Sequence, residues 1–486
     1  MPLGTRSRPP AAGDDSHRLR MPARLVSRAA LVAAVGLALS LAVGCDSGDP
    51  PAAPPELPPE RVAYPLQPGA AGLFLRDANG DAAFLQGDAA WSMVVNLDRE
   101  AVDRYFATRA AQGFNAVYVS LVEWAFSNQD PPWRNVYGDD PFVGTVDGYV
   151  PDMGRPNEAY WRHVDYVFER AEAEGILVIA FPAYSGWMQG FDGWAYGLEN
   201  NDEARLRTYG EFLGGRYAGQ PNVLWAAGGD WGPTGQYDLR DDYATIVDAI
   251  RSRDPEHLWT AHGGQQSGVS AYGYLGLDLN TTYRYPPASV PEAIHDDRRE
   301  APGLPVVFFE GHYENERGVT TRELRFQAYN SVLGGATGHF YGNNPVWEFL
   351  PGWERALRDP GAEDMVHVGA LFRSRPVGRL EPDDAARSVV SDRGDKADGS
   401  YVGAARASDG ATVIAYVPRD QSVTVALGRL SGAEAQAWCY DPRSGDATDL
   451  GRYATEGEAS FGGCTGEDWV LVVDDAARGY ARPGRR

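Results

Sequence analysis

The sequence predicts an α/β fold, a (β/α)8 TIM barrel followed by a small all-β sandwich domain, and three observations carry that prediction. Strand-like apolar runs alternate with helical patterns between residues 72 and 372, the grammar of a parallel barrel. Beyond Pro376 the texture changes to short alternating runs, separated by turn signals such as Asp409-Gly410 and Ser444-Gly445, which reads as a sandwich. Finally, several runs end abruptly in a carboxylate or an aromatic ring, where a barrel keeps its chemistry. A doubly wound open sheet competes, but no Gly-rich phosphate loop follows the first strand.

Taken in order, residues 1–45 read as a leader. Met21 through Arg28 supply a basic head, residues 29–41 an apolar stretch too short to span a bilayer comfortably, and Leu41-Ala-Val-Gly-Cys45 resembles a bacterial lipobox with Cys45 as the acylated residue. Residues 1–20 look unlike such a leader, which leaves Met21 open as the true start. The alternative is an ordinary cleaved signal with an incidental cysteine. Either way the chain is expected to be exported, as a cell-envelope lipoprotein or a secreted protein, touching membrane only through an N-terminal lipid. Residues 46–71 form a Pro-rich linker, expected to be extended.

The catalytic barrel is expected over residues 72–378. Its strands are read at Ala82–Gln86, Asn115–Ser120, Ile176–Phe181, Val223–Ala227, Leu258–Ala261, Leu277–Thr281, Val306–Phe309 and Thr337–Tyr341. Helical patterns lie between them: Val164, Val167, Phe168 and Ala171 share one face, as do Leu239, Tyr243, Ile246, Val247 and Ile250. Residues 379–478 form the β-sandwich, and residues 479–486 are expected to be a disordered tail. Cys439 and Cys464, both in the sandwich of an exported chain, are expected to form a disulfide.

Composition excludes some partners. The formal charge is −23, from 44 basic and 67 acidic residues, which argues against nucleic acid because phosphate binding needs clustered Lys and Arg. The 13 Trp and 25 Tyr supply ring surfaces of the kind carbohydrate sites use.

The mouth of the predicted barrel collects a recognisable set. Leu304-Pro-Val-Val-Phe-Phe-Glu310-Gly-His-Tyr313 is an apolar run ending in a charge, and Asn222-Val-Leu-Trp-Ala-Ala-Gly-Gly-Asp230 repeats the pattern. A carboxylate emerging from a buried strand must be solvated, paired or used. Strands four and seven face each other across a barrel mouth. A retaining glycosidase needs an acid/base and a nucleophile in that relation, so Asp230 is read as acid/base and Glu310 as nucleophile. Candidate substrate-binding residues from the other strand ends are Asp88, Trp91, Trp124, Tyr184, Trp187, Trp231, His262, Tyr283, His312, Tyr313, His339, Tyr341 and Trp347. Aromatic rings would stack on sugar faces, and the imidazoles and phenols would set carboxyl ionisation.

Duller readings compete. Asp230 could cap its own loop, Glu310 could pair with an Arg such as Arg284, Asp88 could cap the next segment, and Glu123 reads best as a solvated or loop-anchoring charge, with a third site carboxylate as its alternative. His262, His312 and His339 lack metal-ligand spacing, and no Gly-x-Ser-x-Gly elbow occurs. The expectation is therefore no metal and no cofactor, with a carbohydrate as the partner.

Four motifs, Leu75-Arg-Asp-Ala-Asn-Gly-Asp-Ala-Ala-Phe-Leu-Gln-Gly-Asp-Ala-Ala-Trp91, Trp225-Ala-Ala-Gly-Gly-Asp230, Phe309-Glu-Gly-His-Tyr-Glu314 and Gly335-Ala-Thr-Gly-His-Phe-Tyr-Gly342, together resemble the apiosidase-like glycoside hydrolases (glycoside hydrolase family 140). Trp438-Cys-Tyr-Asp-Pro-Arg-Ser-Gly445 looks like the collagen-binding-type β-domain that often follows that barrel, a name not carried over here as function. The resemblance implies a retaining enzyme with Asp230 as acid/base and Glu310 as nucleophile, acting on a plant or microbial polysaccharide. The insert Phe126–Pro156 and Gly87-Asp-Ala-Ala-Trp91, where Gly-Asp-Thr-Ala-Trp is commoner, depart from the family pattern and leave apiose specificity open. The alternative is a non-catalytic surface protein that binds carbohydrate or matrix on a barrel scaffold.

Overall fold

The computed structural model describes residues 61–69, 74–383, 389–396 and 398–485. The expected leader, Cys45 and the first part of the Pro-rich linker lie outside the described residues. Among the described residues no helix is long and apolar enough to cross a membrane.

Eight parallel strands form a nearly closed barrel: β1 (Leu85–Ala89), β2 (Ala116–Ser120), β3 (Leu177–Phe181), β4 (Val223–Gly228), β5 (Trp259–His262), β6 (Asn280–Tyr283), β7 (Val306–Glu310) and β8 (Gly338–Tyr341). Their order is β5-β4-β3-β2-β1-β8-β7-β6. The remaining seam, between β5 and β6, is stitched by the Asp278 amide donating to the Trp259 carbonyl at 2.8 Å and the Thr260 hydroxyl to the Leu279 carbonyl at 2.8 Å. Six of the predicted strands match closely. The first does not: Ala82–Ala83 belongs to a separate small antiparallel sheet, and the barrel strand begins at Leu85. The sixth lies three residues later than expected.

Period-two alternation decides which side chains enter the barrel. Leu85, Ala89, Tyr118, Ile179, Phe181, Leu224, Ala226, Val307, Phe309 and Phe340 fill the interior, with Tyr118 stacked on Phe340 at 5.2 Å. Each fully buried large apolar side chain contributes ~1.5–3 kcal/mol, so the interior is a packed core. The mouth is the open part. Residues of opposite parity pack outward against the helices, which are α1 (Arg99–Ala111), α2 (Glu158–Glu174), α3 (Glu203–Tyr217), α4 (Arg240–Arg253), α5 (Gly268–Tyr272), α6 (Val290–Glu300), α7 (Thr321–Leu333) and α8 (Pro360–Arg373). Their starts follow local chemistry. Asp98 accepts from the Ala101 amide at 2.8 Å to cap α1, and Thr320 and Glu323 form a reciprocal capping box on α7.

The C-terminal region is two antiparallel sheets, of β9 (Leu380–Pro382), β11 (Gly403–Ala407), β12 (Thr412–Val417), β17 (Trp469–Asp475), β14 (Glu434–Tyr440) and β15 (Ala447–Ala454), and of β10 (Val390–Ser391), β13 (Val423–Ala426) and β16 (Glu458–Phe461). Val413, Val425, Leu471 and Phe461 share one core. The other face of the larger sheet packs on α7 and α8, with Tyr416 stacked on Tyr329 at 5.0 Å. Arg325 bonds Asp468 at 2.7 Å and Asp364 at 2.6 Å there. The β-region is thus fastened to the barrel away from the β4 mouth.

Three expectations are corrected here. Residues 61–69 are not free linker: Val62 and Leu66 are buried in the core, and the Tyr64 hydroxyl donates to the Asn115 carbonyl at 2.7 Å. The tail is not disordered through residue 485, because the Gly484 amide donates to Ser374 at 3.0 Å and Arg375 reaches the Ala481 carbonyl at 3.0 Å. Cys439, buried, and Cys464, half-buried, carry free thiols within hydrogen-bonding reach of each other rather than a bridge.

Candidate active site

Asp230 reaches the mouth because the chain turns out of β4 through two glycines. Gly228 has φ +90°, and a Cβ there would stand 2.1 Å from the His262 carbonyl oxygen, while one at Gly229 would stand 2.4 Å from the Tyr184 ring. Only glycine fits both positions. Glu310 reaches the same space by another device. On strict alternation it would follow Phe308 outward, but the pairing of β7 with β6 slips between Phe308 and Glu310. Such a bulge re-aims the side chain.

Between them stands His262, fully buried at the end of β5. Its Nε2 lies 2.7 Å from Glu310 Oε2 and 3.9 Å from Asp230 Oδ1. Its Nδ1 faces the Gly229 carbonyl at 2.8 Å, an oxygen that can only accept, so Nδ1 carries hydrogen. One further proton then occupies the Nε2–Oε2 line. Asp230, His262 and Glu310 offer polar atoms all within 4.8 Å of one another. Two carboxylates and an imidazole could also hold a metal ion, although the same atoms suffice for acid–base chemistry.

Burial and the nearby Glu316 push Glu310 up to about 8, against the Tyr285 and Tyr313 hydroxyls. Burial and Glu310 push Asp230 up to about 7, against His262 and Tyr184. Burial holds His262 below its ordinary value, against the pull of Asp230. Close carboxyls titrate as a pair, so the singly protonated dyad is the relevant species. The contacts favour charge on Glu310, which has the imidazole at 2.7 Å and the Tyr285 hydroxyl at 3.4 Å, whereas Asp230 meets the same imidazole only at 3.9 Å.

The cavity around the dyad is about 310 Å³. Of the residues predicted from sequence it is lined by Trp91, Tyr184, Trp187, Tyr283, Tyr313 and Trp347, besides Asp230 and Glu310. Trp91 donates to the Tyr313 hydroxyl at 3.3 Å, which lies 2.6 Å from that of Tyr118. Trp231 lies in an adjoining groove, its ring 5.5 Å from Trp187.

Besides His262, buried between the two carboxyls, and Trp231 in the adjoining groove, five predicted residues do not line this cavity, each for a packing reason. Asp88 faces outward from β1 and is fully buried, bonded by Arg109 Nε and the Tyr105 hydroxyl at 2.6 Å each. His339 and Tyr341, on the outward parity of β8, are buried as well. Burial holds His339 down at about 3, and Tyr341 hydrogen-bonds Glu314. Trp124 sits in an aromatic cluster with Trp194 at 5.0 Å and Trp133 at 5.2 Å. His312 packs on Tyr285 at 4.8 Å. Arg284 meets Glu310 only through its backbone amide, at 2.9 Å from the Glu310 carbonyl.

Sequence reasoning also missed contributors. Tyr285, two residues beyond Tyr283, lines the cavity, as do Glu316 and Arg317; all three lie in loops with no periodic signal. Glu123 follows its alternative reading: it is buried rather than solvated, accepts from Ser92 at 3.3 Å, and joins the lining. Burial pushes its carboxyl well up.

Known proteins resemble this chain in sequence family and in fold. The family model "Apiosidase-like, catalytic domain" matches residues 70–378, and "Putative collagen-binding domain of a collagenase" matches residues 385–474. A glycoside hydrolase family 5 crystal structure from Bacteroides vulgatus is 25% identical, covering 86% of this chain and 95% of its own, with a TM-score of 0.73. A structure described as a glycoside hydrolase is similar in fold, at 23% identity and a TM-score of 0.72, covering 87% of this chain and 99% of its own. No curated protein matches the chain.

Proposed function

The chain belongs to the family of apiosidase-like catalytic domains and is a glycoside hydrolase, and from that premise we propose that it cleaves by retention, with Asp230 as acid/base and Glu310 as nucleophile. One observation carries the reading: a carboxyl oxygen of each lies within 4.8 Å of the other. That is close to the ~5–5.5 Å of retaining enzymes and short of the ~6.5–9.5 Å that leaves room for an inverting water.

In the first step a Glu310 oxygen attacks the anomeric carbon, the glycosidic C–O bond breaks, and the Asp230 proton passes to the leaving oxygen. In the second, Asp230 takes a proton from water, whose oxygen attacks the same carbon and releases Glu310. His262 supports the ionised nucleophile by holding the shared proton on Nε2. Tyr285 and Tyr313 donate to it, and the rings of Trp91, Trp347 and Tyr184 bound the sugar.

The substrate proposed is a plant or microbial polysaccharide, met outside the cytoplasm; the lipobox reading of residues 41–45 supports that location, and metabolic labelling with a fatty acid tests it. Proton NMR of the first product tests the mechanism. Retention of anomeric configuration is expected, and inversion would remove the nucleophile from Glu310.

A further inference from the structure

We infer that the enzyme acts from a chain end: a short, uncharged glycone fills the blind cavity, while a saccharide leaving group runs out over a second groove beside Asp230. This rests on the proposed glycosidase reading and specifies its mode of action.

One side of the mouth is walled. Phe126, after β2, and Trp347, after β8, meet edge to face at 5.3 Å. Asn96, after β1, ties the two loops together by donating to the Phe126 carbonyl at 2.8 Å and the Glu348 carbonyl at 2.9 Å. Trp347 Nε1 is held by Glu316 at 3.1 Å. Strands β8, β1 and β2 are neighbours in the barrel, so this wall closes one continuous arc.

The opposite arc, over β4 and β5, is open. There a groove of about 660 Å³ shares Trp187 and Gln265 with the catalytic cavity. Trp231, Thr234, Gln266 and Ser270 supply its ring face and polar groups, the mixture that holds sugars. Its floor follows directly on Asp230 in sequence. The acid protonates the leaving oxygen, so the leaving group lies on the acid's side.

The groove edge is built. Met188 and Gln189 have φ of 53° and 57°, a strained backbone that persists where surroundings over-determine it. The Gln189 side chain, 2% exposed, accepts from the Tyr237 amide at 2.7 Å and reaches the Gly232 carbonyl at 3.4 Å. This clamps the turn that presents Trp187, 44% exposed, beside Trp231.

Charge selects the glycone. Among the described residues, the carboxyls of Glu123, Asp192, Asp230, Glu310 and Glu316 line the cavity with the guanidinium of Arg317, and in the groove Arg240 is bonded to Asp238 at 2.8 Å. A uronate would meet the ionised Glu310 in a lining rich in carboxyls, which disfavours it.

The test uses the full chain on a panel of neutral plant and microbial oligosaccharides labelled at the reducing end, following those it cleaves, beside the best-cleaved p-nitrophenyl glycoside. Short unlabelled units released first, with long labelled fragments persisting, are expected. Gln266→Trp should lower the ratio of kcat/KM on oligosaccharide to that on the aryl glycoside at least tenfold, with the aryl reaction also reporting folding. Thr234→Trp serves if that variant does not fold. Random internal fragments, or an unmoved ratio in the folded variant, would overturn the inference alone. A wild type that hydrolyses no glycoside would overturn the reading beneath it.

Discussion

Replacing Glu310 by Gln should stop turnover and stabilise the protein at neutral and alkaline pH. In the native state the carboxyl is pushed from 4.5 to about 8 by burial and Glu316. A carboxyl raised in this way favours folding fully below its unfolded value, and that contribution is lost as pH rises towards 8. The whole rise, from 4.5 to about 8, sets a ceiling of ~5 kcal/mol. At pH 7 only the span above 4.5 counts, ~3 kcal/mol, and the imidazole at 2.7 Å returns part of it. A gain of ~1–3 kcal/mol at pH 8, fading to nothing or reversing at pH 4, is therefore expected for Glu310→Gln. Turnover should fall on the order of 10⁴-fold or more, because the covalent step has no other carboxylate placed for it. Urea denaturation at the two pH values, with aryl glycoside hydrolysis on the same samples, measures both. A variant no more stable at pH 8 than at pH 4, relative to wild type, would refute the buried-carboxylate argument. Retained turnover would refute the mechanism.

Asp230→Asn should spare glycosides with good leaving groups and lose ~10²–10⁴-fold on natural linkages; equal losses across a leaving-group series would count against its role as acid. The pH profile of kcat/KM should be bell-shaped about neutrality, since activity needs one proton on the dyad. Glu316→Gln should move its acidic limb to lower pH, because removing a neighbouring negative charge lets Glu310 ionise sooner. Asp88→Asn strands the buried Arg109 guanidinium and should cost ~3–5 kcal/mol of stability, read by urea denaturation, with kcat of the folded fraction unchanged. Mild oxidation should join Cys439 to Cys464, which face each other, as a loss of two hydrogens in intact mass without change in oligomeric size.

Much of this protein was legible in its chain. Alternating strand and helix patterns announce a barrel, and the runs ending at Asp230 and Glu310 put carboxylates at strand ends, because periodicity and abrupt polarity are local properties. Tertiary structure alone decided which strand-end residues meet. Parity on the barrel turns Asp88, His339 and Tyr341 outward into the helical layer, although their neighbours Ala89 and Phe340 face the barrel interior. The slipped register in β7 turns Glu310 the other way, and a slip is a relation between two strands that neither carries by itself. Likewise Tyr285, Glu316 and Arg317 enter the cavity from loops, whose paths depend on the packing beneath them rather than on any repeat in their own residues.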